Sequence, residues 1–353
     1  MKKIAVVLAC IVLFCTACVV CWWYFENNMK DYLPMAEYEI SDSSKVYYLK
    51  NSFLEESELG IKLNTIDEDG SFRELYSEKG AGKSVVFCSE EYFVLSNGAG
   101  INAYDMNDEL KKAFDAPGTF ESAHVFADSL YVKMIDAAGN TVIYLYDSVG
   151  GVRNLTQEYS RINFVDYCFD SVTRNEFFIS YVLSGEYVKL VISIYDSGVK
   201  VKTLELDNLV YNGFDYIDGM FVFYTDTGMI FINSRIFAKR EQHVYDVDAL
   251  TRFIYEDKIV YLMDDAFFDG VNDMFYVTPD SSGNANMTDK ECITKFGDKM
   301  IYYSDKYVRS YSFGGALLDD PVLFTEEGVM ELGVMGDIIA ARKMGKIIFM
   351  KAE

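Results

Sequence analysis

The stretch Ser122-Ala123-His124-Val125-Phe126-Ala127-Asp128-Ser129-Leu130-Tyr131-Val132-Lys133-Met134, running on to Thr156, decides the fold. Ala123–Phe126 alternates like a strand, and Asp128-Ser129 is a turn pair. Leu130–Met134 is a second, more apolar strand. Ala138-Gly139-Asn140 is loop chemistry, Thr141–Tyr146 a third strand, Asp147–Gly151 a tight turn, and Val152–Leu155 a fourth strand. Strands this short, joined by turns this tight, predict one antiparallel sheet of four sequential strands.

The same frame returns roughly every 38 to 47 residues, from Glu37 to the C-terminus. Third strands end Tyr104-Asp105, Tyr146-Asp147 and Tyr195-Asp196, with weaker echoes at Ile66-Asp67, Ile232-Asn233 and Tyr311-Ser312. First-to-second turns are expected at Ser43-Ser44, Glu90-Glu91, Asp128-Ser129, Asn175-Glu176, Asp218-Gly219, Glu256-Asp257, Gly297-Asp298 and Gly336-Asp337. One such unit cannot bury its apolar face alone, so the period predicts an all-β propeller of eight blades, with seven as the alternative. The last unit stops after its third strand, Lys346–Met350. The segment Met35–Ile40 is the candidate to supply the missing outer strand, unless it serves the first unit instead.

On phrases such as Ile143-Tyr144-Leu145-Tyr146-Asp147-Ser148-Val149-Gly150-Gly151, the chain resembles the broad superfamily of TolB-like, dipeptidyl-peptidase-like and WD-repeat-like β-propellers. The resemblance spans nearly all of residues 37–353 and implies a binding or scaffolding platform. Both tryptophans lie in the N-terminal apolar run, so the Trp-Asp dipeptide is absent.

Ahead of the repeat, Lys2-Lys3 precede an uncharged apolar run from Ile4 to Phe25. Its 22 residues span about 33 Å as a helix, enough for a hydrocarbon core of about 30 Å. Trp22, Trp23 and Tyr24 suit the interface, and the lysines put the N-terminus in the cytoplasm. The expected organisation is an anchor at 1–25, a juxtamembrane linker at 26–35 and an extracytoplasmic propeller at 36–353. Two alternatives concern the same segment: a lipoprotein anchored at Cys18, and a cleaved signal peptide ending Cys15-Thr16-Ala17. Of seven cysteines, only Cys88, Cys168 and Cys292 lie beyond the run, which is no disulfide framework and fits a bacterial exported domain. A net charge of −23 argues against nucleic acid, whose phosphates need Lys and Arg.

Enzyme motifs are sparse. There is no Gly-x-Ser-x-Gly elbow, and the two histidines, His124 and His243, make no metal helix. Gly80-Ala81-Gly82-Lys83-Ser84 lacks the first phosphate-loop glycine and leads into a strand rather than a helix. Asp67-Glu68-Asp69-Gly70 reads as a turn between third and fourth strands.

The densest acidic cluster is Asp264, Asp265, Asp269, Asn272 and Asp273, around Phe267 and Phe268. It falls in a long second-to-third loop, where binding function concentrates, and its oxygens suit Ca²⁺. Arg235, Lys239, Arg240 and Gln242 form a rare basic patch, expected in a connection between units on the same face. Phe267 and Phe268 as apolar anchors, with the two charge clusters orienting, make a candidate surface for a protein or peptide partner. The expected function is a membrane-anchored, partner-binding module of an envelope complex. A small-ligand or glycan sensor is the first alternative, and inward aromatic rings would favour it. A metal-dependent hydrolase or lyase is the second.

Overall fold

The computed structural model describes residues 32–352, except 81, 108, 127–128, 171, 186, 208, 218, 244–248, 256–257, 264–272, 287–291, 297–298, 304–306, 312–321 and 324–327. The described residues form eight four-stranded antiparallel sheets. They divide between two compact units. The larger unit, Ser41–Asp289, holds six sheets, over 45–79, 84–117, 119–154, 166–207, 211–243 and 249–286. In each, strands follow one another in sequence order. The smaller unit joins Met1–Ile40 to Lys290–Glu353 and holds a seventh sheet over 292–323 and an eighth over 331–352. This is the sheet organisation of a β-propeller.

The third sheet shows why the sequence folds this way. Its strands are Thr119–Phe126, Ser129–Ile135, Thr141–Asp147 and Gly151–Asn154. Leu130, Tyr131 and Val132 are all fully buried although they alternate between faces, so the second strand is covered on both sides. That is why second strands read as aromatic and apolar throughout rather than alternating. Gly151 holds φ at +76°, which the tight turn before the fourth strand demands. Leu155–Glu158 then forms one helical turn, capped by the Asn154 carboxamide oxygen, which accepts from the Gln157 amide at 2.9 Å.

Two expected turns are displaced. Ser43-Ser44 precedes the first strand, Lys45–Tyr48, and the turn to Ser52–Ser57 is Leu49-Lys50-Asn51. The segment before Ser43 is already engaged elsewhere. In the fourth sheet, Asn175-Glu176 begin the second strand, because Asp170 extends the turn. Its carboxylate accepts from the Val172 amide at 2.9 Å, and its carbonyl from Arg174, whose φ is +62°.

Tyr32–Glu39 pairs antiparallel with Lys346–Ala352, from Tyr32↔Ala352 to Glu39↔Lys346, and completes the eighth sheet as its outer strand. Pro34 sits at a bulge in this edge strand, where its missing N–H is tolerated. The strand begins at Tyr32, so it takes in part of the segment expected to be linker. The apolar run read as an anchor lies outside the described residues. Among the described residues no helix is long and apolar enough to cross a membrane.

Burial decides which contacts hold this closing sheet. Phe349 is fully buried, whereas the Lys346–Glu37 ion pair at 3.2 Å is partly in water. Phe349→Ala should therefore cost about 3–5 kcal/mol, and Lys346→Ala less than about 1 kcal/mol. Denaturant unfolding of the full chain in mild detergent measures both, and equal losses would contradict the assignment.

Candidate functional site

Within the larger unit, the ends of five first strands converge on a cavity of about 520 Å³. Phe87 and Cys88 come from the second sheet, His124 and Phe126 from the third, and Phe169 and Asp170 from the fourth. Phe214, Asp215 and Tyr216 come from the fifth, and Ile254 from the sixth. All lie near the turn between first and second strands, so one end of the unit carries the site.

The walls are mostly apolar, with several aromatic rings. Phe126 and Phe214 stack with centroids 5.4 Å apart, and the His124 ring lies 4.9 Å from Phe214. His124 therefore sits on the inner strand as expected, packed among rings. Burial pushes the Cys88 thiol up to about 12, so it stays protonated at neutral pH.

Two carboxylates complete the wall. Asp215 accepts from the Tyr224 hydroxyl at 2.6 Å. Asp170 is only 2% exposed. Burial raises its pKa, but hydrogen bonds from Ser234, the Thr173 hydroxyl at 2.7 Å, and the Val172 and Thr173 amides outweigh that and lower it. It is an ionised carboxylate in a largely apolar cavity. Burial raises the Tyr216 hydroxyl, and the charge of Asp170 raises it further. Ser234 and Arg235 act in the opposite direction.

Deeper in the unit, tyrosine hydroxyls brace buried carboxylates across sheets. Asp166 takes hydrogen bonds from Tyr131 of the third sheet and from Tyr211 of the fifth, the latter at 2.7 Å. Lys133 lies 3.8 Å from it. Asp105 accepts from Tyr146 at 2.9 Å and pairs with Lys111 at 3.1 Å. Within the fourth sheet, Glu176 accepts from Tyr167 at 3.0 Å and from Tyr159, in the segment leading into that sheet, at 2.8 Å.

The structure places only some of the residues singled out in the sequence. Asp264, Asp265, Asp269, Phe267 and Phe268 lie outside the described residues. Asp273 opens the strand Asp273–Val277. Lys239 and Arg240 belong to the fourth strand of the fifth sheet, Lys239–His243, rather than to a connection between units. They are already paired, Lys239 with Glu241 and Arg240 with Asp280. Arg235 lies in the turn before that strand, at the cavity end of its sheet. Met263 and Asp273, the paired ends of second and third strands in the sixth sheet, lie at the end of that sheet opposite its first-to-second turn.

The cavity residues were missed because each looks ordinary alone. Their signal is positional: first strands end Phe87-Cys88, Val125-Phe126, Phe169-Asp170 and Asp215-Tyr216. Among the described residues no group of three or more His, Cys, Asp or Glu is placed to hold a metal ion.

No known family matches the chain, and no curated protein matches it either. Solved structures resemble it in fold. BamB from Moraxella catarrhalis is 11% identical, over 91% of this chain and 98% of that one, with a TM-score of 0.47. The WD40 domain of SCAP from fission yeast is 8% identical, over 92% and 95%, at 0.48. AztD from Citrobacter koseri is 12% identical, over 85% and 91%, at 0.49.

The braces predict the response to alkali. Tyr146 is pushed up to about 12 by burial and by its bond to Asp105, and Tyr159 to about 12 by burial and by Glu176. Burial beside carboxylates lifts Tyr131, Tyr167 and Tyr211 well above the ordinary value. An unfolded phenol ionises near 10, so it releases its proton first and alkali favours unfolding. Stability present below pH 10 should be lost as pH rises through about 12. Near-ultraviolet phenolate absorbance followed alongside circular dichroism tests this. Titration of all 27 tyrosines near pH 10 with the fold intact would rule it out.

Proposed function

We propose that this protein is a membrane-anchored, extracytoplasmic binding module. In this reading the eight sheets are blades of one propeller, and the paired Tyr32–Glu39 and Lys346–Ala352 strands support closure by the N-terminal segment. The run Ile4–Phe25 anchors it, with Lys2-Lys3 inside.

The observation that carries binding is the cavity. Its volume falls in the usual range for small-ligand sites, about 300–1,000 Å³. Aromatic faces attract cations, and Asp170 and Asp215 supply negative charge beside them. The ligand it suits has an apolar or aromatic body and one cationic group, free or as a side chain of a peptide. Catalysis is less favoured, because the Cys88 thiol is held protonated and His124 is packed among rings.

Benzyltrimethylammonium, with neutral benzyl alcohol as control, is a direct probe for the full chain in mild detergent. Calorimetry should show binding of the cation alone, weakened about tenfold by Asp215→Asn. Equal binding of both compounds, or no effect of the substitution, would remove the cation reading. Protease digestion of intact spheroplasts tests topology: the propeller should be cut while an N-terminal tag survives. A protected propeller would overturn the orientation.

A further inference from the structure

The fourth sheet departs from the repeat. Its second and third strands, Asn175–Ser184 and Tyr187–Asp196, have ten residues each and pair along their whole length. The first strand, Asp166–Phe169, covers only residues 176–179. The fourth, Val199–Asp207, reaches only to Lys189. Residues 180–184 therefore run on paired to the third strand alone, and among the described residues no strand lies along their other edge, about 15 Å of bare edge at 3.3 Å per residue.

This edge has defined hydrogen-bonding polarity. The Val165 amide bonds the Ile179 carbonyl, so Ile179 points its main chain outward. Antiparallel alternation then turns the N–H and C=O of Tyr181 and Leu183 outward too. Ser180, Val182 and Ser184 face the partner strand, opposite Val191, Lys189 and Tyr187. The side chains on the Tyr181 face are apolar: Tyr181, Leu183 (79% exposed) and Val188. Upstream of Val165 the chain leaves the edge, and Tyr159 and Phe164 pack on Phe178 instead.

Exposed strand edges invite pairing, and proteins usually block them with lysine, proline or bulges. Several outer edges here are blocked. The fourth strands of the second, fourth and fifth sheets carry Lys111-Lys112, Lys200 and Lys202, and Lys239-Arg240, and the closing strand carries Pro34 at a bulge. Ser180-Tyr181-Val182-Leu183-Ser184 carries none of these.

We propose that this edge takes an extended segment of another polypeptide as an added antiparallel strand. The Tyr181 and Leu183 main-chain groups would supply affinity, and Tyr181, Leu183 and Val188 an apolar floor. Charge identifies the guest. At −23 per chain, a second copy is repelled. An exposed Asp226 accepts from the Val210 amide, next to Tyr211, whose amide bonds the Tyr181 hydroxyl. The guest is therefore a foreign strand of alternating apolar residues with basic flanks. This surface stands independently of the cavity.

The test uses the full chain in mild detergent and a short peptide alternating valine and threonine between terminal lysines. Binding should slow hydrogen exchange of the Tyr181 and Leu183 amides. Leu183→Pro removes one outward N–H without touching the hairpin's own ladder and should weaken binding about tenfold. A backbone N-methylated peptide, which alters only the guest, should fail to bind. Undiminished binding of the methylated peptide, or unchanged exchange at both amides, would overturn the proposal. Mass doubling with concentration in the absence of peptide would assign the edge to a second copy instead.

Discussion

A four-stranded sheet whose middle strands are apolar on both faces cannot stand alone. Phe53, Phe93, Leu130, Tyr131, Phe177, Phe178, Phe221 and Phe223 are all fully buried in second strands. Each face needs cover about one sheet-spacing away, roughly 10 Å. In the larger unit neighbouring sheets supply it: Phe177 meets Phe221 at 4.5 Å, and Tyr92 meets Tyr146 at 6.3 Å. Everything else follows from this constraint. Fourth strands such as Lys111–Pro117, Val199–Asp207 and Lys239–His243 carry lysine where they are outermost. First strands are crowded together, and where their ends fail to fill the space, a cavity remains.

Apolar faces alone do not fix how one sheet sits on the next. The tyrosine–carboxylate bonds add that information. Asp166 receives Tyr131 from one neighbour and Tyr211 from the other, so three sheets share one joint. Buried ionised groups add little net stability against apolar replacements, yet losing one partner is costly. Such joints are therefore better understood as setting register than as a source of large stability. Asp170 extends the same logic to the cavity wall, where bonds from Ser234 and Thr173 keep it charged.

Much of this was legible in the sequence. The Tyr-Asp endings of third strands placed three sheets correctly, and for one pair the structure supplies a reason: Tyr146 of one sheet reaches Asp105 on the sheet before. The turn at Asp67-Glu68-Asp69-Gly70 is there, with Gly70 at φ +80°. What failed was reading polarity without parity. Lys239 and Arg240 looked like a basic connection but are edge-strand residues with acidic partners. The cavity stayed hidden because it is made by single residues from five units, separated by tens of positions. No local motif carries such a site.

The two candidate binding features share one origin. A repeat repeats its structural requirements, so a position that breaks the pattern is freed from them. Phe169-Asp170 breaks it by lengthening a turn and placing an ionised carboxylate, held by the Val172 and Thr173 groups of that turn, in the cavity wall. The hairpin 180–188 breaks it by outgrowing both flanking strands and leaving apolar side chains in water. Neither departure improves the packing of its own sheet. An exposed Leu183 works against folding, and its presence on a scaffold otherwise so regular points to use outside it.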